Sequence, residues 1–176
     1  MAERQNINFR LDDKEVSAIL RAFRNLDKEA NTRLKDLSRN IAGDMVLELK
    51  NAARGAPFYS DQAMEVAKTI RLARDRVPSV SIGGARRFTN RRGERVPVGL
   101  IVTGSEFGSV IPRQRERFKK PNQSRGGLQF PPRSPRLGRG NRGWWVFPRL
   151  RRLQPDILRR WLEGAQDVAD EWKRRT

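Results

Sequence analysis

The stretch DKEANTRLKDLSRNIAGDMVLELKNAARGAP, residues 27–57, carries the clearest structural signal in the chain. Ala30, Leu34, Leu37, Ile41, Met45, Leu49 and Ala52 recur in steps of three and four, which puts them on one face of an α-helix. Asp27 stands where an N-cap belongs, with a carboxylate able to accept from the free N–H groups of a first turn. Gly55 and then Pro57 follow the last apolar position and close the helix. Gly43 weakens the interior without breaking it.

Upstream, Ile7, Asn8 and Phe9 alternate apolar and polar, which suits a short strand or an extended lead-in. Asp12 or Asp13 can cap a first helix in which Val16, Ile19, Leu20 and Phe23 share a face. Asn25-Leu26-Asp27 separates it from the second. Downstream, Met64, Val66, Ala67 and Ile70 make a shorter amphipathic segment between Gln62 and Leu72. Val80 and Ile82 before Gly83-Gly84 read as a strand ending in a turn. The polar, basic residues from Phe88 to Arg95 read as a hairpin loop around Gly93.

Val96 to Thr103, with Val98, Leu100, Ile101 and Val102, predicts a strand buried on at least one face, and Pro97 places its start at an edge. Trp144, Trp145, Val146 and Phe147 predict another strand, ended by Pro148, which can open a helix. Leu150, Leu153, Ile157, Trp161, Ala165, Val168 and Trp172 form a second helical ridge, kinked or restarted at Pro155. No internal repeat is visible. The expected architecture is one α+β domain over residues 1–176. Long N-terminal helices and a C-terminal helix pack on a small, mostly antiparallel sheet, with a long basic internal loop.

That loop is a basic, Pro/Gly-rich arm over residues 109–142. Within it Arg113, Arg115, Arg117, Lys119, Lys120, Arg125, Arg133, Arg136, Arg139 and Arg142 face a single acid, Glu116. This is half of the chain's net charge of +18. Between Arg113 and Arg142 four prolines and four glycines interrupt it. A segment with so few apolar groups and so many like charges does not offset its own ordering entropy, so a mobile arm that orders on a partner is expected.

The 176 residues allow one domain with a real core. Mean hydropathy is −0.78 and the isoelectric point about 11.6, which favours phosphates, anionic lipid or acidic protein surfaces as partners. No cysteine is present, which removes disulfides and thiolate chemistry and fits synthesis in a reducing compartment. No histidine is present, which removes the commonest general base and metal ligand, and with it histidine-dependent nucleases and Ser-His-Asp triads. The polar start and the lack of a long apolar run predict a soluble protein without a membrane partner.

Three motifs with catalytic overtones have plainer explanations. Glu48-Leu49-Lys50 resembles the end of a metal-nuclease signature, but it lies on the long helix with Leu49 inward. Asp12-Asp13 is explained by capping. Gly83-Gly84 lacks the Lys and Ser/Thr of a phosphate loop. Trp144-Trp145 beside Arg139 and Arg142 could stack and neutralise single-stranded nucleic acid, yet Trp145 and Phe147 fit the core face of a strand. Trp161 and Trp172 fit the core or, if left uncovered, a subunit contact. Arg149, Arg151, Arg152, Arg159 and Arg160 beside them are a solvated helix face or a continuation of the arm's basic surface. The expectation is a protein that is not an enzyme, with no catalytic residue, no metal and no cofactor.

The order of several motifs resembles the neck or tail-completion (head–tail joining) proteins of long-tailed bacteriophages. They are Ala56-Pro57 after the long helix, Val80-Ser81-Ile82-Gly83, and Glu106-Phe107-Gly108-Ser109. The last is the aromatic run Gly143-Trp144-Trp145-Val146-Phe147-Pro148. The resemblance spans most of residues 27–173. It departs where the family has a Thr-Gly-x-Leu element after Ala-Pro, since Phe58-Tyr59-Ser60-Asp61 stands here, and in the long basic connection before Gly143.

The resemblance implies a virion protein at the head–tail interface, made in the host cytoplasm and assembled as a homo-oligomeric ring, expected to be a hexamer. It implies identical subunits, an adjacent connector or stopper, and tail-terminator or tail-tube proteins as partners, with DNA in the channel as a further contact. Pro57, Glu106, Phe107, Gly108, Trp144, Trp145, Phe147 and Pro148 would then be structural motif residues. In the triplet, Gly108 permits positive φ, Phe107 packs inward, and Glu106 bonds backbone amides or meets an arginine.

Overall fold

The computed structural model describes residues 6–10, 14–23, 27–56, 60–73, 75–90, 93–107 and 143–175. Among them lie five helices and two small sheets, an α+β fold with helices on a small antiparallel sheet. The order is β1 (Asn6–Arg10), α1 (Lys14–Ala22), α2 (Lys28–Arg54), α3 (Ser60–Ala67), β2 (Arg71–Leu72) and β3 (Ser79–Gly83). There follow β4 (Arg87–Thr89), β5 (Arg95–Pro97), α4 (Val98–Phe107) and α5 (Val146–Arg175). One sheet has the order β1-β3-β2, with β2 antiparallel to β3, and the other is the antiparallel pair β4-β5.

The packing divides the chain into two compact units, and β1, α2, β3 and α5 each give residues to both. The second unit draws on Asn8–Leu47, Arg71–Ser81 and Arg151–Thr176. Asp27 caps α2 as its position suggests, its Oδ1 accepting from Ala30 N–H at 2.7 Å. The stripe Ala30, Leu34, Ile41 and Met45 is buried, and so are Ile157, Trp161 and Ala165 of α5.

Residues of α2 and α5 meet in opposite sequence order, so these parts of the helices run antiparallel: Arg33 bonds Glu171, Ser38 bonds Trp161 and Asp44 bonds Arg160. Trp161 is fully buried, and its indole N–H donates to Ser38 Oγ at 3.1 Å and to the Arg76 carbonyl at 3.0 Å. It is core, as the ridge implies.

The first unit draws on Glu48–Ile70 and Ile82–Leu150. Here α3 packs on α4, with Ala63, Val66, Ile70, Ile82, Val98, Ile101 and Val102 all buried. Leu49 is buried as expected, while Glu48 pairs with Arg149. β3 ends at the Gly83-Gly84 turn, where both residues have φ of 107°. A hairpin turns near Gly93 as expected, with Gly93 at φ 80°, but Phe88, Thr89 and Arg95, expected in its loop, belong to the strands β4 and β5.

Two expected strands do not form as expected, and helix takes much of each. Val96 to Thr103 is not a strand: β5 stops at Pro97 and the apolar run from Val98 is the first half of α4. The buried positions Val98, Ile101, Val102, Ser105 and Glu106 follow helical spacing, and the last two are polar, so apolar residues alone did not reveal it. Trp144 to Phe147 is not a strand either: Gly143 turns at φ 72°, and α5 already begins at Val146. Pro148 falls within that first turn, where a missing N–H costs nothing. Helix α5 then runs through Pro155 as one element.

Candidate functional site

The C-terminus of α4 and the N-terminus of α5 are joined by one side chain. A helix start leaves backbone N–H groups without intrahelical partners, and in α5 these are met by Glu106. Its Oε2 accepts from Val146 N–H at 2.8 Å and Trp145 N–H at 3.2 Å, and its Oε1 accepts from Phe147 N–H at 2.8 Å. The backbone adds a fourth bond, Trp144 N–H to the Glu106 carbonyl at 2.8 Å. Glu106 has no exposed surface. It is a buried N-cap supplied from another helix.

Glycine is required at the closing corner. Gly143 sits at φ 72°, and a Cβ there would land on the Glu106 carboxylate and within 2.9 Å of Phe147 Cβ. Around the carboxylate, Trp145 is buried with its indole N–H on Ser105 Oγ at 3.2 Å. The Phe107 and Phe147 rings lie 5.1 Å apart at 41°. Burial pushes the Glu106 carboxyl above its ordinary value, against the opposing pull of the N–H groups of Phe147, Val146, Trp145 and Trp144.

Of the motif residues, Glu106, Phe107, Trp144, Trp145, Phe147 and Pro148 are therefore brought together. Glu106 takes the first of its two expected roles, bonding backbone amides. Where strands were expected on either side of the arm, at Val96–Thr103 and Trp144–Phe147, the described residues place the end of α4 and the start of α5. Pro57, Gly108, Asp12, Asp13 and every arm residue from Arg113 to Arg142 lie outside the described residues.

The arginines flanking the α5 ridge are largely engaged. Arg149 meets Glu48, Arg159 meets Asp156 and Glu163, and Arg160 meets Asp44 at 2.7 Å. Among the described residues no group of histidines, cysteines and carboxylates is arranged to hold a metal ion, and no helix is long and apolar enough to cross a membrane. The residue types that reasoning from sequence overlooked are the arginines of the β4-β5 hairpin. Arg86, Arg87 and Arg95 are all exposed there. No family model, curated protein or solved structure matches this chain.

Proposed function

We propose that this chain is a structural subunit of a phage neck or tail-completion ring, joining the capsid connector to the tail around the DNA channel. The observation that carries the reading is the joint at Glu106. Two stretches of the resemblance, Glu106-Phe107 and Trp144 to Pro148, meet as one hydrogen-bonded unit. Side chains that satisfy one another's backbone serve architecture, and a carboxylate with no exposed surface offers no access to a substrate. The basic arm then reaches a neighbouring subunit, an adjacent ring or DNA, and arginines suit both carboxylate and phosphate.

Native mass spectrometry and electron microscopy of the purified chain, with peptide mass spectrometry of virions, test this. The expected result is a closed ring of identical subunits and the chain within the virion. A chain absent from virions, or monomeric even in assembled particles, overturns it.

The arm's net charge also supports a second reading, a free nucleic-acid-binding protein using the arm and the tryptophan pair. Burial of Trp145 leaves the arm as the main contact on that reading. Deleting residues 113–142 would then abolish salt-dependent DNA and RNA binding, and unchanged affinity would dispose of it.

A further inference from the structure

We infer that the β4-β5 hairpin is a second, ordered contact for the phosphate backbone of double-stranded DNA, separate from the arm. The pairing of Arg87 with Pro97, Phe88 with Val96 and Thr89 with Arg95 sorts the ribbon into two faces. Phe88 and Val96 share the half-buried face, and Arg87, Thr89 and Arg95 share the exposed one. Arg86 adds a third exposed guanidinium at the base of β4. Among the described residues no acid is paired with any of these three.

The acid of this hairpin, Glu94, is turned to another task. Its carboxylate accepts from the Asn90 side-chain amide at 2.8 Å, while Asn90 Oδ1 accepts from Glu94 N–H at 2.9 Å. The ribbon's ends are fixed as well. Asn90 N–H donates to the Glu94 carbonyl at 2.9 Å, and at the root Val98 N–H donates to the Arg86 carbonyl at 2.6 Å and Gly99 N–H to the Gly84 carbonyl at 3.2 Å. The guanidinium groups therefore stand on a backbone braced at both ends, so binding has little main-chain ordering to offset.

The chemistry of the exposed face selects the partner. A protein interface draws most of its energy from a few well-packed, desolvated anchors in which arginine works beside aromatic residues, and an interfacial membrane element buries apolar side chains. The exposed face offers arginines, a threonine and the half-buried Pro97. Neutralising phosphates needs charge alone, and a two-stranded ribbon is narrow enough to lie along a duplex groove. This inference does not depend on the ring: it reads DNA binding, whereas the ring is read by mass.

The test is the salt dependence of binding to a short mixed-sequence DNA duplex by the full chain, with the arm intact. Arg86→Gln, Arg87→Gln and Arg95→Gln are combined in one variant, and Lys28→Gln, Lys35→Gln and Arg39→Gln, exposed positions on α2, in a control of equal charge. The hairpin variant is expected to bind more weakly, with the slope of log affinity against log salt shallower by about 2.7, three phosphates' worth. The control should keep most of the wild-type slope. An equal change in both variants, or none in the hairpin variant, overturns the proposal. So does a hairpin variant that loses binding to polyglutamate while keeping its binding to the duplex. Circular dichroism of each variant verifies the fold.

Discussion

Glu106 meets three N–H groups with two oxygens and has no exposed surface, so each atom of its carboxylate has a consequence for stability. Glu106→Ala strands those donors and is expected to cost about 3 kcal/mol, readable in urea unfolding. Glu106→Gln keeps the shape but replaces one acceptor with a donor, so a smaller loss is expected. The carboxyl's raised pKa fixes the sign with pH. The proton-linked part of its contribution is full below the ordinary carboxylate range and is lost as pH rises through the raised value. Wild type minus Glu106→Gln should therefore lose stability across that window, and a difference flat with pH would contradict it. Gly143→Ala combines positive φ with a clash against the same carboxylate, and a loss above about 2 kcal/mol is expected from thermal unfolding.

At the scale of elements, α2 shows what local rules reach. Its cap, stripe and stop are all set by neighbours in sequence, and among the described residues Asp27, the buried stripe and Gly55 lie where the spacing put them. Gly43 is a flaw in that helix: a Cβ there meets nothing within 4 Å. Gly43→Ala should raise stability by about 0.5–1 kcal/mol in denaturant titration. The ends of α2 and α5 also share a charge network. Arg175 holds the Glu29 carboxyl below its ordinary value, and Arg33 does the same for Glu171. These depressed values contribute stability above the ordinary carboxylate range that is lost as pH falls through them. Because the pairs are exposed, Arg33→Ala should change neutral-pH stability little while flattening the acid limb of the stability profile. Helix α4 is the opposite case. Its β-branched run favours a strand locally, and its helical period is completed only by Ser105 and Glu106, whose partners lie some 40 residues on.

For the whole molecule, the consequence of the Glu106 joint is that the chain leaves α4 and re-enters α5 within a hydrogen bond, however long the intervening segment is. Replacing residues 109–142 with a short Gly/Ser linker should therefore leave the fold intact. Loop closure costs grow only logarithmically with length, so a gain of about 1 kcal/mol is expected in the unfolding free energy. Loss of cooperative unfolding in that variant would contradict the joint as the fold's own closure. The α+β class, the long helices, the β4-β5 hairpin and the Gly83-Gly84 turn were legible because periodicity, capping and turn chemistry act over a few residues. The α5 start was half legible, since Val146 continues the ridge of Leu150, Leu153 and Ile157. By itself, then, the sequence determined where the amphipathic helices lie and how much positive charge the arm carries. Only the tertiary structure decided that Val98 to Phe107 is helical and that the tryptophan pair leads into a helix rather than lying on a strand. It alone assigned Glu106 to the start of a helix 40 residues away, because a buried polar group takes its meaning from partners that folding brings to it.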